Sequence, residues 1–476
     1  MDMLINGTAA PAADESWIDV KNPATGEYID HVPRGSVADV DAAVDAAEDA
    51  FGSWSEKTMR DRGLILSRAA DLVRRDHKDL AHLLTREQGK PLRESIDEVR
   101  GCANILEYYA SIAGQPAGEA VHLGKAGDCL VTRVPLGVCG AIIPWNMPVI
   151  IMGWKVGPAL LAGNTLVLKP ASTTPLTNLR IGRLFLEAGL PAGALNIVTG
   201  PGESVGEALV RQARVKKISF TGNCETGHKI QKIAGDQLKA LTLELGGSDP
   251  MIVMADADIP KAVEGALRGR FYNAGQVCTA VKRLYLHEQI APEFMHLITV
   301  KVEAMKIGNG LLPETDMGPL NSQSQRDRIT TVVTDINDRE EGKILTGGSP
   351  VTGNDYANGF FYQPTLISDV SPDAAVLKKE IFGPVLPMVT VPDLRTAIRE
   401  ANRSRYGLGA SVWTRDLSTV KEVFQNVHAG IIWVNRHLTI PPEVPFGGTN
   451  ESGIGRENGF HALDSYTQTK TLFLGW

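Results

Sequence analysis

The sequence of 476 residues has little cysteine, and its five cysteines are spread far apart. None of them stands in a CxxC pair, which argues against both a disulfide framework and a structural zinc site. The ten histidines are scattered and show no spacing typical of metal ligands. We therefore expect a cytoplasmic protein, in a reducing compartment, that holds no metal ion.

Basic charge and long apolar runs are also scarce. Lys and Arg total 48 against 55 Asp and Glu, so the formal net charge of −7 offers no positive excess for binding nucleic acid. The longest apolar stretch, Val149–Ala162, is broken by Lys155 and Pro158, and the first residues lack the pattern of a signal peptide. We expect neither nucleic acid nor a membrane as a partner, and 43% hydrophobic residues suffice for a large core.

The first third of the chain has mainly helical patterns. Ser36–Asp39 fits a capping box, and amphipathic runs predict one helix over Asp61–Glu87 and another over Glu94–Ala113. Cys129–Val134 alternates like a strand of a hairpin, and so does the tail at Ser465–Phe473. A strand at the end of a chain invites pairing with a partner subunit, which we expect here, or with a nearby edge of the same chain.

After residue 138 strand and helix patterns alternate, which predicts a parallel, doubly wound α/β sheet. The predicted strands are Val138–Ile143, Thr165–Lys169, Leu195–Thr199, Lys217–Thr221 and Leu241–Leu245. The predicted helices between and after them are Val149–Leu161, Thr177–Ala188, Glu203–Ala213 and Thr226–Ala234. A second α/β series follows Met251. Because such sheets bind ligands beyond the carboxyl ends of their strands, the residues just after each strand are the functional candidates.

A glycine-rich turn at Gly200–Gly206 permits two weak functional interpretations. Gly202-Glu-Ser204-Val-Gly206 fits the GxSxG elbow of serine hydrolases, with Ser204 as the nucleophile. The same glycines nearly fit a dinucleotide-binding loop, with one residue too many. A tight strand-to-helix turn needs glycine in any doubly wound sheet, which is the simplest interpretation.

Three residues with reactive or polar side chains follow predicted strands or helices. Cys278 lies in a glycine-containing loop, a setting that we expect to favour the thiolate. Glu244 ends an apolar strand, where burial should raise its pKa towards that of a general base. Asn146 stands between two prolines that fix its backbone, so its amide is suited to stabilise an oxyanion. A core cysteine, a paired glutamate and a turn asparagine are the structural alternatives, but three such residues at one sheet edge favour an enzyme.

Seven short motifs stand in a fixed order along the chain: Pro144-Trp145-Asn146-Met147-Pro148, Leu168-Lys169-Pro170-Ala171-Ser172, Phe220-Thr221-Gly222, Leu243-Glu244-Leu245-Gly246-Gly247, Gly275-Gln276-Val277-Cys278, Glu380-Ile381-Phe382-Gly383-Pro384 and Pro445-Phe446-Gly447-Gly448. With them the chain resembles the aldehyde dehydrogenase superfamily over nearly its full length. The resemblance implies a Rossmann-type cofactor domain (1–117 and 136–249), an α/β catalytic domain (250–446) and a small β oligomerisation element (118–135 and 447–476). It also implies a homodimer or homotetramer.

The resemblance implies a covalent mechanism. Cys278 would attack the aldehyde carbon, and the Asn146 amide and the Cys278 N–H would hold the oxyanion of the thiohemiacetal. Oxidation by NAD or NADP would leave a thioester, which water activated by Glu244 would hydrolyse to the carboxylic acid. Lys155 would belong to the proton path. The presence of Glu244 favours water over coenzyme A as the acceptor.

The resemblance assigns cofactor binding to residues that mostly stand at or just after the ends of predicted strands in the sequence: Trp145, Lys169, Ser172, Gly202, Gly206, Gly222, Asn223, Glu244, Leu245, Gly246, Glu380 and Phe382. Strict NAD users of the family often carry Glu where this chain has Ser172. Without that carboxylate a 2′-phosphate is not repelled, so NADP should at least be tolerated beside NAD. Asn223 replaces the usual Ser, which leaves its pyrophosphate contact open.

The substrate tunnel implied by the resemblance is mostly apolar: Met147, Ile150, Trp154, Val277, Thr279, Leu438, Thr439, Ile440 and Phe446. Such walls favour small aliphatic, hydroxy- or aromatic aldehydes. Semialdehydes such as succinate semialdehyde, and lactaldehyde or glyceraldehyde, are the alternatives. Arg100 or Arg436 would then bind a carboxylate, although each is more simply a surface charge.

Overall fold

The computed structural model describes residues 1–115 and 118–475, so the predicted domain boundary at residue 117 and the end at residue 476 lie outside them. The strands are β1 (Met3–Ile5), β2 (Thr8–Ala10), β3 (Trp17–Lys21), β4 (Tyr28–Pro33), β5 (Gly118–His122), β6 (Asp128–Pro135), β7 (Val138–Ile142), β8 (Thr165–Lys169), β9 (Leu195–Ile197), β10 (Val215–Thr221), β11 (Ala240–Glu244), β12 (Asp249–Val253), β13 (Val281–His287), β14 (Lys343–Thr346), β15 (Thr365–Ser368), β16 (Val385–Val391), β17 (Gly409–Trp413), β18 (Ile431–Val434), β19 (Gly453–Ile454) and β20 (Thr467–Leu474).

The α-helices are α1 (Val37–Ser55), α2 (Met59–Arg75), α3 (His77–Gln88), α4 (Leu92–Ser111), α5 (Pro148–Leu161), α6 (Leu176–Glu187), α7 (Glu207–Arg211), α8 (Cys224–Gly235), α9 (Ile259–Phe271), α10 (Ala291–Glu303), α11 (Gln323–Asp338), α12 (Ala375–Lys378), α13 (Leu394–Ala401), α14 (Leu417–Asn426) and α15 (His461–Asp464). None of the helices in the described residues combines the length and apolar character needed to cross a bilayer.

The largest sheet has eight strands in the order β19-β11-β10-β7-β8-β9-β1-β2. Its five central strands, from β11 to β9, run parallel, while β1, β2 and β19 pair antiparallel at the edges. The chain leaves β7 towards β8 and β9 and then returns to the other side of β7 with β10. This reversal confirms the doubly wound sheet and opens a crevice beyond the carboxyl ends of β7 and β10.

A second sheet carries the later part of the chain, in the order β14-β15-β16-β13-β12-β17-β18. All its pairings are parallel except that between β14 and β15. Its strands and helices bury their own hydrophobic core, separate from the two clusters around the first sheet. The chain therefore has two α/β layers of the predicted kind, and the division into domains by residue number stays a prediction.

Two predicted helices differ from the structure. The run Asp61–Glu87 is two helices, α2 and α3, because Asp76 leaves the helical conformation at φ −94° and ψ 9° and its carboxylate accepts hydrogen bonds from Arg75. The predicted helix Glu203–Ala213 is helical only in α7, after a wider π-type turn at Gly202–Gly206. Glycines order at a high entropic cost, so they weaken a regular helical start.

The tail strand β20 pairs with β6 of its own chain, from Thr467 opposite Pro135 to Leu474 opposite Asp128. The two strands and β5 form a three-stranded sheet in the order β20-β6-β5. Pairing of the tail with an edge of its own chain, the alternative given in the sequence analysis, is therefore observed on the side of β20 that faces β6. Within the segment 447–476, β19 joins the eight-stranded sheet instead. Pairing with a partner subunit, and hence the oligomeric state, stays a prediction.

Candidate active site

A cavity of about 910 Å³ opens beyond the carboxyl ends of the parallel strands of the first sheet. Every residue predicted to bind the cofactor lines it: Trp145, Lys169, Ser172, Gly202, Gly206, Gly222, Asn223, Glu244, Leu245, Gly246, Glu380 and Phe382. Cys278 and Asn146 line it as well. The structure thus brings together residues from three regions of the chain at the predicted edge of the sheet.

The loop between α9 and β13, which carries Cys278, begins with a strained turn. Helix α9 ends at Phe271, and after it Asn273, Ala274 and Gly275 all have left-handed backbones with φ of 50°, 52° and 73°. A left-handed alanine costs about 1 kcal/mol or more, so neighbouring contacts must hold it. Glu94 supplies one of them, since its Oε2 accepts from the Asn273 N–H at 2.8 Å.

Asn146 is held at both its backbone and its side chain. Its amide Nδ2 donates to the Gln276 carbonyl at 3.0 Å, two residues before Cys278. Its own carbonyl accepts from the Lys90 ammonium at 2.7 Å and from the Asn273 amide at 2.9 Å. These contacts hold the Asn146 amide in a fixed position against the loop that carries Cys278. A donor that stabilises an oxyanion has to be positioned in this way before the reaction.

Lys90 belongs to a buried ion pair that the sequence analysis missed. Its Nζ lies 2.5 Å from Glu98 Oε2, and both side chains are fully buried. The other oxygen of Glu98 accepts from the Val149 N–H at 2.8 Å, at the start of α5. The sequence did contain one signal, because Glu98 is a charged residue on the apolar face of the predicted helix Glu94–Ala113. The spacing of residues alone does not show that its partner is Lys90.

Glu244 ends β11 with only 1% of its surface exposed. Among the described residues neither carboxylate oxygen has a hydrogen-bond partner. Burial raises the pKa of Glu244 to about 8, and the Lys155 charge and the Cys278 thiol favour its ionised form without offsetting that burial. The expectation that Glu244 has the raised pKa of a general base is therefore confirmed in its direction.

Lys155 does not line the cavity but lies fully buried within α5. Its Nζ donates to Glu457 Oε1 at 2.7 Å and to Ser219 Oγ at 2.8 Å. Ser219 in turn donates to the same Glu457 oxygen at 2.8 Å. Lys155 thus connects the surroundings of Glu244 to a second buried carboxylate, which the sequence analysis did not identify.

Cys278 is half-buried at the cavity wall. Burial raises the pKa of its thiol well above the ordinary value, the Glu244 carboxylate raises it further, and Lys282 lowers it. The expectation that the loop favours the thiolate is therefore wrong for this resting state. Desolvation and acidic neighbours outweigh the donors that the loop provides.

Glu380 and Phe382 close one end of the cavity. The Gly247 N–H donates to Glu380 Oε1 at 3.2 Å, and a side chain at Gly246 would collide with the same carboxylate, since its Cβ would lie 2.2 Å from Oε2. The Phe382 ring meets the Trp145 ring edge-on at 5.6 Å between centroids. A larger residue at position 246 would therefore displace the Glu380 carboxylate, a close approach that the motif did not explain.

At the other end, Asn223 and Ser172 make local contacts. The Asn223 side chain accepts from the Thr226 N–H at 2.8 Å and so caps α8, whose N-terminus faces the cavity through Gly222 and Asn223. Ser172 donates from Oγ to the Gly200 carbonyl at 2.9 Å. Lys169 is almost fully buried, which lowers its pKa to about 8. Asn223 therefore acts as the N-cap of α8, and its contact with a pyrophosphate stays open.

The predicted tunnel residues do not line this cavity, although Met147 and Val277 are the chain neighbours of the lining residues Asn146 and Cys278. Met147, Ile150, Trp154, Val277, Thr279, Ile440 and Phe446 are all absent from its lining. Trp154 and Phe446 are buried and pack together at 5.1 Å between ring centroids, with Met147, Ile150 and Ile440 partly buried against the same core. The structure therefore brings together the two aromatic residues of the predicted tunnel, Trp154 and Phe446. The tunnel itself stays a prediction.

The remaining candidates are separate from the site. Ser204 is exposed, and no histidine among the described residues forms a hydrogen bond with it. Arg100 and Arg436 are exposed as well. Ser204 therefore lacks the base that a serine nucleophile needs.

Comparison with known proteins gives a consistent match. Residues 10–472 match the model of the aldehyde dehydrogenase family. The chain is 43% identical to phenylacetaldehyde dehydrogenase of Pseudomonas fluorescens, covering 100% of this chain and 96% of that protein. It is 39% identical to betaine aldehyde dehydrogenase of Bacillus subtilis (strain 168), covering 99% and 96%. A crystal structure of betaine aldehyde dehydrogenase from Staphylococcus aureus in complex with NAD+ superposes with a TM-score of 0.97 at 34% identity, covering 100% of this chain and 97% of that one.

Proposed function

Because this chain belongs to the aldehyde dehydrogenase family and is an oxidoreductase acting on aldehydes, we propose that it oxidises an aldehyde to the carboxylic acid through a thioester on Cys278. The observation that carries the proposal is the meeting of three groups at one cavity: the Cys278 thiol, the Asn146 amide and the buried carboxylate of Glu244, whose oxygens accept no hydrogen bond from the part of the chain that the structure describes. A buried carboxylate with neither oxygen bonded is costly unless it has a chemical task.

The residues of the cavity fit a nicotinamide dinucleotide. The N-terminus of α8, which the cavity reaches at Asn223, is suited to a pyrophosphate, because the first N–H groups of a helix have no partner within it. Lys169 and Ser172 would hold the adenosine ribose, while Glu380 and Phe382 would hold the nicotinamide end. The S. aureus relative binds NAD+, and the uncharged Ser172 leaves NADP acceptable as well. When bound, the nicotinamide supplies the hydride acceptor.

Cys278 begins the reaction by adding to the aldehyde carbon. Its thiol must first lose a proton, and the neighbouring Glu244 carboxylate is the base positioned to take it. The carbonyl oxygen becomes an oxyanion that the Asn146 amide stabilises, because its second N–H remains available beside the bond to Gln276. Removal of the aldehyde hydrogen as hydride converts the adduct into a thioester of Cys278.

Hydrolysis of the thioester requires an activated water. We assign this task to Glu244, whose raised pKa matches a base that works near neutral to mildly alkaline pH. Lys155 and Glu457 form a buried ion pair beside it and offer a route for the released proton. The carboxylic acid then leaves and frees the thiol.

We propose an uncharged aliphatic or aromatic aldehyde as the substrate. The relative with 43% identity acts, by its name, on phenylacetaldehyde. The buried pair of Trp154 and Phe446 provides an apolar surface that suits such a side chain. Semialdehydes fit less well, since Arg100 and Arg436 are exposed and neither lines the cavity.

Cys278→Ser tests the reaction. The variant should lose NAD(P)-dependent aldehyde oxidation while keeping cofactor binding, because a serine hydroxyl ionises far less readily than a thiol. Cys224→Ser is the matched control, since that cysteine lies near the cavity residues and should not contribute to turnover. A panel of aliphatic, aromatic, hydroxylated and carboxylated aldehydes, assayed with both cofactors, then defines the substrate. Full activity in Cys278→Ser would eliminate the proposed mechanism.

A further inference from the structure

Lys282 stands four residues after Cys278, near the start of β13, with its side chain fully buried. Its Nζ donates to the Val277 carbonyl at 3.0 Å and to the Cys278 carbonyl, and lies 3.3 Å from Glu380 Oε1. An ammonium has three N–H donors, so each of these acceptors takes one. All three donors of this buried side chain therefore have an acceptor.

The same ammonium does not line the cavity but lies behind Glu380 and Phe382, the two lining residues at which we place the nicotinamide. Glu380 Oε1, which pairs with Lys282, also accepts from the Gly247 N–H at 3.2 Å. Lys282 Nζ lies 5.8 Å from the centre of the Phe382 ring, within cation–π range. One buried charge therefore contacts both the nucleophile's backbone and the residues at the nicotinamide end.

Two further cations are buried nearby, but the Arg270 guanidinium donates to the Val281 carbonyl and that of Arg283 to the Ser248 carbonyl. The charged groups that act most strongly on Cys278 are Glu244, Lys282, Asp249 and Glu380, and only Lys282 among these four is positive. Burial raises the pKa of Asp249 to about 7, although Lys282 favours its ionised form. Burial lowers the pKa of His437 to about 4, so this ring is neutral at physiological pH.

We propose that Lys282 is a positioning residue that provides the counter-charge for the Cys278 thiolate and ties the nucleophile's backbone to Glu380. The inference rests on the proposed function, in which Cys278 is the nucleophile. With the ammonium in place, ionisation of the thiol adds a negative charge beside a fixed positive one. Without it, the three remaining charged groups that act most strongly on Cys278 are all carboxyl groups, so formation of the thiolate becomes more costly.

The test is the pH dependence of Cys278 alkylation by iodoacetamide in the full-length protein without cofactor. Peptide mass spectrometry follows carboxamidomethylation at Cys278 alone. Because the thiolate is the reacting form, Lys282→Met should slow alkylation about tenfold at neutral pH and move the midpoint to higher pH. Lys282→Arg keeps the charge and should restore most of the rate. Circular dichroism and thermal unfolding check that each variant is folded.

A second buried lysine serves as the control. Lys217 is also fully buried and donates to Thr242 Oγ1 at 2.6 Å, but among the described residues it contacts neither the Cys278 backbone nor Glu380. Lys217→Met should leave the alkylation profile of Cys278 unchanged. If Lys282→Met does not fold, Glu380→Gln keeps the proposal testable, because removal of a carboxylate that faces the thiol should speed alkylation.

Two outcomes overturn the assignment. One is a folded Lys282→Met with the same alkylation midpoint as the unaltered protein, and the other is slower alkylation in Glu380→Gln. Neither outcome bears on the oxidation of aldehydes, because alkylation is measured without cofactor or aldehyde. The proposed function fails separately, if Cys278→Ser still oxidises aldehydes.

Discussion

Replacement of Glu244 by glutamine should lower the rate of aldehyde oxidation. It should also stabilise the fold relative to the unaltered protein, by an amount that grows with pH. The change keeps the size of the side chain and removes both its charge and its basicity. Loss of a general base typically slows a reaction about 10²- to 10⁴-fold, so aldehyde oxidation should fall within that range. A residue held only for packing would give no such loss.

The stability effect follows from the pKa of Glu244, which burial raises from the ordinary 4.5 to about 8. Between these values the folded protein binds a proton that the unfolded chain has released, so rising pH destabilises the fold across this window. The span is about 3.5 pKa units, and at about 1.36 kcal/mol per unit the ionised carboxylate costs about 5 kcal/mol above pH 8. Glutamine does not titrate and avoids this cost.

The assay compares the free energy of unfolding in urea at about pH 5 and about pH 9 for both proteins, where the variant should gain about 4 kcal/mol relative to the unaltered protein between the two pH values. Glu225→Gln is the control, because that glutamate is exposed on α8 and pairs with Lys229. Its effect should stay within about 0.5 kcal/mol at either pH. If the stability difference between Glu244→Gln and the unaltered protein is the same at both pH values, the assigned burial of charge is refuted.

The remaining predictions concern the pH profile, the support of Asn146 and the cofactor. The kcat of the unaltered enzyme should rise with pH and level off above about 8, because Glu244 acts as a base only when ionised; a flat profile below that pH in a pH–rate series contradicts this role. Lys90→Met should destabilise the fold by about 3–5 kcal/mol in urea unfolding, since it leaves Glu98 buried without its partner. It should also lower kcat more than it changes KM, because Asn146 loses a backbone anchor. Ser172→Glu should reduce kcat/KM with NADP at least about tenfold against NAD, since it places a negative charge where a 2′-phosphate would bind; equal ratios in steady-state assays would exclude that location.

The strands and the reactive residues could be predicted because their signals are local. Each parallel strand of the first sheet is a short apolar run, and Asn146, Glu244 and Cys278 follow strands or a helix within a few residues. A doubly wound sheet then places the ends of such strands at one edge. The break at Asp76 was missed because one nonhelical residue barely disturbs an apolar period that continues on both sides of it.

The residues that support the site could not be predicted, because their partners are distant in sequence. Lys90 and the Asn146 carbonyl are 56 positions apart, and Lys155 and Glu457 are 302 apart. A buried lysine looks the same in a sequence whether it pairs with a carboxylate or extends to solvent. The predicted direction of the pKa shift of Cys278 was wrong for the same reason. That shift depends on how deeply the loop is buried and on how closely Glu244 approaches the thiol.

The two reacting groups are best understood as sharing one negative charge. An ionised Glu244 raises the pKa of the Cys278 thiol, so two anions side by side would be costly in a site with little water. Transfer of the thiol proton to Glu244 moves the charge without adding a second one. The same burial that raises the pKa of Glu244 to about 8 brings it closer to that of the thiol, so this transfer costs less than it would to a carboxylate at 4.5. In the proposed mechanism Glu244 must then release the proton before it can activate water, and we expect the buried pair of Lys155 and Glu457 to take part in that release.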